Sequence, residues 1–380
     1  MKVLVVSHTY ISPINRDKWK FFARRHPSVS LLVAYPGHWP SCLFSHQATT
    51  ETPLPNCSFI ALDTFGAGNE LVYIYKPQPL YNVLRSFKPD IVHVEQGAGA
   101  LCYFQINIFT RLMGIKAHSI FFTWINWKPK LSLKSHLYLS LLEKINLRRA
   151  DGAIAGNNGA DGLLRKKGFT KPILVLPQLG INRELFKPDE EKISRSYKYI
   201  GYIGRITEEK GIFYLARAFM KVAHDFPAWK LTFIGKGPAS HRLQSFVATR
   251  QMLDRIELCS PVPHEAVAQY LRKIDILVLP SYDTPQWREQ FGHILIEAMA
   301  SGVAVIGSNA GEIPHVVANA GLIFAQRNES DLVAKLQTLM QDDELRKELG
   351  KRGHLRAHTE YSHEAIADKT YEFWQNISGR

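Results

Sequence analysis

The chain has 380 residues, 46% of them hydrophobic and 21% charged, with 47 Lys and Arg against 34 Asp and Glu. That composition excludes a disordered or fibrous protein, and the length exceeds what one hydrophobic core usually serves, so two domains are expected. Residues 1–187 hold 23 Lys and Arg against 10 Asp and Glu, while residues 188–380 hold 24 of each, so the whole net +13 belongs to the first half. Halves so differently charged are expected to meet different partners. The cysteines, Cys42, Cys57, Cys102 and Cys259, stand far apart with no C-x-x-C pair. That spacing argues against a zinc knuckle or a disulfide scaffold and suits a reducing compartment. The apolar run after Met1 is too short for a secretory signal, and no stretch reaches the roughly 18–20 apolar residues that cross a bilayer. A soluble, cytoplasmic chain is the expectation.

Residues 2–7 open the chain as a continuous Val/Leu run and read as a strand. Similar runs follow at 29–35, 90–94, 117–122, 152–155 and 173–176. A polar segment at 187–192, without apolar periodicity, reads as a linker. Beyond it, strands are predicted at 199–204, 230–235, 255–259, 274–279 and 303–307, with helices between them at 211–226, 264–273 and 292–300. Continuous apolar strands alternating with amphipathic helices indicate parallel sheets covered on both faces. The predicted fold is α/β, with two Rossmann-like parallel-sheet domains at 1–187 and 188–361. Residues 362–380 read as a final helix packing back on the first domain. No internal repeat or low-complexity tract is present.

Two clusters of chemistry lie in the second half. The segment from Gly201 to Gly211 reads as strand, loop and helix start, placing Arg205 at a strand's carboxyl end and Lys210 at the mouth of the next helix. Ligands bind at that end of open α/β sheets. A guanidinium fork and a lysine converging beside a helix amino-terminus suit a diphosphate, although two solvated loop cations would look the same in sequence. Further on, Glu289 precedes a helix and Glu297 lies inside it, among Ile294, Leu295, Ile296 and Met299. A carboxylate in so apolar a helix needs hydrogen-bond partners. Ribose hydroxyls would serve, and so would a buried cation such as a core arginine.

These residues resemble the donor site of retaining glycosyltransferases of the GT-B fold, glycosyltransferase family 4. The matching features are Gly204-Arg205 with Lys210-Gly211, Pro280-Ser281, Glu289 with Glu297, the run Ala298-Met299-Ala300-Ser301-Gly302, and Gly311-Glu312-Ile313. The resemblance covers about residues 199–324 and implies two domains facing a central cleft. It also implies that Arg205 and Lys210 hold the diphosphate of a nucleotide sugar with the amides of Phe291, Gly292 and His293. Glu289 would touch the donor sugar and Glu297 the ribose. No cofactor is implied beyond the nucleotide sugar itself. With no Asp-x-Asp in the chain, donor binding is expected to be metal-independent.

The first half matches the family loosely. Gln178 stands in the segment 176–182 where Asn is more usual, no glycine lies in 7–16, and 123–127 holds no histidine where many members carry one. Asn126, Glu95 and His8 are the nearest polar residues at strand ends, with Asn126 and Glu95 taken as candidates to position the acceptor. The basic excess suits an anionic or lipid-linked acceptor, and the stretches 16–26 and 131–149 could rest on an anionic membrane surface or face a core. No nucleic-acid module is present. His354 and His358 lack the glutamate of H-E-x-x-H and read as a solvated pair, and Gly235-Lys236-Gly237 is no dinucleotide fingerprint. A nucleotide-sugar epimerase and a non-catalytic nucleotide-sugar-binding protein remain as alternative functions.

Overall fold

The computed structural model describes residues 1–40, 45–47, 54–127, 133–188 and 195–379. Cys42, the run Lys128–Lys130 and linker residues 189–192 lie outside the described residues. The chain forms two compact units, Met1–Gly180 with His363–Arg380, and Ile181–Ser362.

Each unit is built on one parallel sheet. In the first, the strands are β1 (Lys2–Val6), β2 (Ser30–Pro36), β3 (Cys57–Leu62), β4 (Ile91–Val94), β5 (His118–Thr123), β6 (Gly152–Ala155) and β7 (Ile173–Val175). Their order is β7-β6-β5-β4-β1-β2-β3. Val3 pairs with Leu31 on one side and Ile91 on the other, and Val3, Leu4, Val5 and Val6 are all essentially inaccessible. Continuous burial explains why these strands read as unbroken apolar runs. Strand β3, at the sheet edge with only Cys57 and Leu62 buried, is not among the strands expected from sequence, although residues 59–62 form an apolar run.

The second sheet holds β8 (Lys198–Ile203), β9 (Trp229–Ile234), β10 (Ile256–Cys259), β11 (Ile276–Leu279), β12 (Ala304–Ser308) and β13 (Gly321–Phe324), in the order β10-β9-β8-β11-β12-β13. Both sheets reverse their winding once. The reversal lies between β1 and β4 in the first unit and between β8 and β11 in the second. The carboxyl ends of those strand pairs are the places where an α/β sheet opens a crevice. They carry Ser7–Thr9 with Glu95–Gly97, and Gly204–Arg205 with Pro280–Ser281.

Helix His363–Ser378 belongs to the first unit. Its Trp374 stacks on Trp19 of helix Pro13–Arg25 at 5.7 Å, and its Asp368 pairs with Arg25 at 2.5 Å. Segment 181–188 belongs to the second unit, although the sequence suggested a division at 187/188. Ile181 donates its amide to the Tyr361 carbonyl, and Phe186 is buried. Apolar anchoring, not the polar run behind it, decides where the unit begins.

Candidate functional site

At the second unit's switch point the chain folds so as to deliver Lys210. A short 3-10 turn, Glu208–Lys210, ends at Gly211 with φ 72°, where a Cβ would stand 1.9 Å from the Pro280 carbonyl oxygen. Only glycine permits that approach, and it sets the turn against the end of β11. Lys210 Nζ then meets Glu289 Oε2 at 2.6 Å and lies 4.8 Å from the centre of the Trp287 ring. The Ser281 hydroxyl donates to the same Glu289 oxygen at 2.9 Å. Arg205 is exposed at the end of β8, and buried Tyr202 donates its hydroxyl to the Arg205 carbonyl at 2.6 Å. Burial, then the Glu289 and Glu209 charges, push the Tyr202 hydroxyl well up, while Arg205 draws it down. One tyrosine thus feels both Glu289 and Arg205. The Gly235–Gly237 loop lies alongside, with the Ile206 amide donating to the Lys236 carbonyl.

Helix His293–Ala300 starts at Gly292, whose φ of 85° opens the first turn. Phe291 packs on Tyr361 and on the His293 ring. Burial lowers the His293 pKa against the pull of Glu297, so the ring stays neutral near pH 7. One turn on, Glu297 is 8% exposed and pairs with His264 Nε2 at 2.8 Å. That hydrogen bond raises the His264 pKa against burial. The partner of the helix-borne carboxylate is therefore a histidine, and among the described residues no core arginine takes that place. The signal for it is His264 opening the helix that follows β10, directly after Pro263.

In the first unit Glu95 lies at the end of β4 and is 3% exposed. Lys18 meets its Oε1 at 2.5 Å, while the Tyr10 hydroxyl and, at 3.1 Å, the Gln178 amide donate to its Oε2. Burial is the strongest single influence on Glu95 and works to raise its pKa, but the Lys18 and His93 charges and the hydrogen bonds from Lys18 and Tyr10 together outweigh it and hold the carboxyl below its ordinary value. Glu95 is thus an interior carboxylate with both oxygens engaged, not one standing in solvent. Lys18 sits on the basic helix Pro13–Arg25, whose Trp19 and Phe22 are fully buried, so that stripe faces the core. Gln178 also accepts from Trp124 Nε1 at 3.2 Å. Asn126 is buried near that loop, its Cβ packed against Gly159.

The structure thus joins Lys210, Glu289 and Ser281 directly, sets Arg205 within reach of the same tyrosine, and pairs Glu297 with His264. Asn126 and Glu95 share the first unit, with no direct bond between them among the described contacts. His354 and His358 are partly buried, with rings 4.0 Å apart, Arg183 donating to His358 and the Ala300 carbonyl accepting from His354. They tie a helix down and do not form a solvated face. Among the described residues no cluster of three or more metal-ligating side chains occurs, and no helix is long and apolar enough to cross a membrane.

Comparison with known proteins adds the family. Residues 184–356 match the family described as Glycosyl transferases group 1. The gpi3 subunit of phosphatidylinositol N-acetylglucosaminyltransferase from Schizosaccharomyces pombe is 26% identical over 294 residues, covering 76% of this chain and 61% of that protein. The 2-deoxystreptamine N-acetyl-D-glucosaminyltransferase of Streptomyces fradiae is 25% identical over 252 residues, covering 61% and 58%. The chain therefore spans less than two thirds of the length of these relatives. Among solved structures, sucrose-phosphate synthase from Thermosynechococcus elongatus superposes with a TM-score of 0.74 at 19% identity, over 100% and 99% of the two chains. Anabaena HepE in complex with UDP gives 0.73 at 14% identity, over 99% and 100%. Likeness at such identity establishes the fold, two parallel-sheet α/β domains of the GT-B class.

Proposed function

Residues 184–356 belong to the glycosyl transferases group 1 family, and from that premise we propose that the chain transfers a sugar from a nucleoside-diphosphate sugar to an acceptor hydroxyl, with retention at the anomeric carbon. The observation that carries the reading is the Lys210–Glu289–Ser281 cluster at the switch point of the second sheet, beside exposed Arg205. Arg205, Lys210 and the amino-terminal turn at Phe291–His293 bind the diphosphate, supplying the positive charge without a metal ion. Glu289 accepts hydrogen bonds from donor-sugar hydroxyls, and Glu297, steadied by His264, accepts them from ribose. The bond from the anomeric carbon to the diphosphate oxygen breaks, and the acceptor oxygen bonds to that carbon on the same face. The acceptor proton leaves on the departing phosphate. Asn126 helps position the acceptor, and Glu95 acts through the residues it holds in place.

The UDP in the Anabaena complex supports a uridine nucleotide, and the relatives' names support N-acetylglucosamine as the first sugar to try. A nucleotide-release screen over nucleoside-diphosphate sugars, with and without cyclitol and sugar acceptors, tests the reading. Acceptor-dependent release supports it. Donor interconversion without an acceptor favours an epimerase, and donor binding without turnover favours a binding protein. The anionic-membrane partner rests on helix Leu133–Arg149, whose Leu142 and Asn146 are buried while Leu141, Lys144 and Arg148 are exposed. Binding to anionic liposomes that weakens with salt tests that part, because screening must weaken surface electrostatics.

A further inference from the structure

The first unit's own switch point carries a group of side chains that the donor chemistry does not use. His8 follows β1, with its side chain 16% exposed, and its ring stacks on buried Trp39 at 4.6 Å. Trp39 in turn packs edge-on against buried Tyr73. On one side the Gln96 amide nitrogen lies 2.5 Å from His8 Nδ1. On the other, the exposed carboxylate of Glu70 stands 3.4 Å from His8 Nε2. Ser7 and Thr9 hydroxyls, 2.9 Å apart, complete the floor. Stacking and the Gln96 contact fix the ring where a sheet of this kind binds ligands.

Among the described residues, the two basic side chains of the neighbouring helix Pro13–Arg25 that lie nearest in sequence are engaged elsewhere. Arg16 is fully buried and donates to the Tyr10 and Ile11 carbonyls. Lys18 is committed to Glu95. What faces outward is a neutral donor and an anion. Burial lowers the His8 pKa, although Glu70 and Gln96 pull it up. With Gln96 donating to Nδ1, the neutral ring carries its proton on Nε2 and presents it toward Glu70.

We propose that His8 and Glu70 form the acceptor subsite of this chain and that the subsite selects a neutral polyhydroxylated ring over a phosphorylated one. The inference rests on the transferase reading given above. Once the exposed Glu70 side chain swings away from its direct 3.4 Å contact with Nε2, a hydroxyl can enter, accept from His8 Nε2–H and donate to the Glu70 carboxylate at once. An ionised phosphate oxygen can only accept, and it meets the negative charge of Glu70. The phosphate or lipid part of an acceptor, where it has one, is bound away from His8.

Binding is read directly by saturation-transfer NMR and calorimetry on the full chain, apart from turnover. The probes are myo-inositol and methyl α-glucoside, each against its monophosphate. The native chain is expected to bind the neutral probe better than its monophosphate. Glu70→Ala, at an exposed position, is expected to weaken the neutral probe about tenfold, the size of one hydrogen bond to a charged group. His8→Phe keeps the stack on Trp39 and loses the Nε2–H, with a similar loss expected. Glu70→Lys is expected to reverse the preference toward the monophosphate. Stronger binding of the monophosphate to the native chain, no binding of either probe, or wild-type binding in both Glu70→Ala and His8→Phe overturns the subsite. Probe binding without nucleotide release would sink the transferase reading alone. Acceptor-dependent release with unchanged binding in the variants would sink the subsite alone.

Discussion

Each unit places a lysine–glutamate pair at the carboxyl edge of its sheet, and the two pairs differ in exposure, chiefly at the lysine. Lys18 and Glu95 meet at 2.5 Å with side chains 4% and 0% exposed, and Tyr10 and Gln178 occupy the second carboxylate oxygen. Lys210 and Glu289 meet at 2.6 Å with side chains 21% and 8% exposed, beside Ser281 and a helix amino-terminus. A sealed pair has repaid its desolvation with internal hydrogen bonds and holds an element in place. An accessible pair can trade partners with a ligand, because each ion's contact with the other is replaced on binding. The sealed pair is therefore read as architecture and the open one as the donor site.

The largest effect expected from breaking this comparison is on stability, in the first unit. Lys18→Ala leaves an uncompensated buried carboxylate and should cost about 3–5 kcal/mol in urea unfolding. The counterpart, Glu289→Ala, should leave unfolding nearly unchanged and lower acceptor-dependent nucleotide release by roughly a hundredfold, as loss of charged hydrogen bonds does. If Glu289→Ala instead unfolds the chain and keeps its turnover, the two pairs have been assigned the wrong way round. Acid sharpens the contrast further. Because the folded Glu95 pKa is depressed, its stabilisation is present above the unfolded value of about 4.3 and disappears as pH falls through the folded value. In Glu95→Gln that acid limb of the stability profile should flatten.

Lys210 and Glu289 were each singled out in sequence, though not their contact with each other, while the burial of Lys18 and its bond to Glu95 were not foreseen. Lys210 and Glu289 stand at junctions of predicted strands and helices, and local signals place such residues without knowledge of packing. Lys18 lies between Asp17 and Trp19 on a helix that reads as amphipathic and basic. Its burial depends on Glu95, 77 residues away, and on the Trp374 helix that closes over Trp19. Long-range pairing of that kind leaves no periodicity. The two sheets were legible for the opposite reason, since continuous Val/Ile/Leu runs are written by two-sided burial. Edge strands β3 and β13 were not expected from sequence, whereas edge strands β7 and β10, no more buried, were, so incomplete burial alone does not decide which edges can be read. His264 was seen as a helix start but not as the partner of Glu297, a contact spanning 33 residues.

The His264–Glu297 pair lies between the two extremes, since the histidine side chain is 48% exposed and the carboxylate 10%. The raised His264 pKa means its stabilisation is complete below the unfolded value of about 6.5 and is lost as pH rises through the folded value. Solvent screening keeps that contribution below about 1 kcal/mol. His264→Gln should remove this alkaline-side slope from thermal melts followed between pH 5 and pH 9. It should weaken nucleotide binding by only a few-fold, because Glu297 keeps its charge and its place in the helix. A loss as large as that of Glu289→Ala would show that His264 itself contacts the nucleotide, and would move it from steadying Glu297 to binding the donor directly.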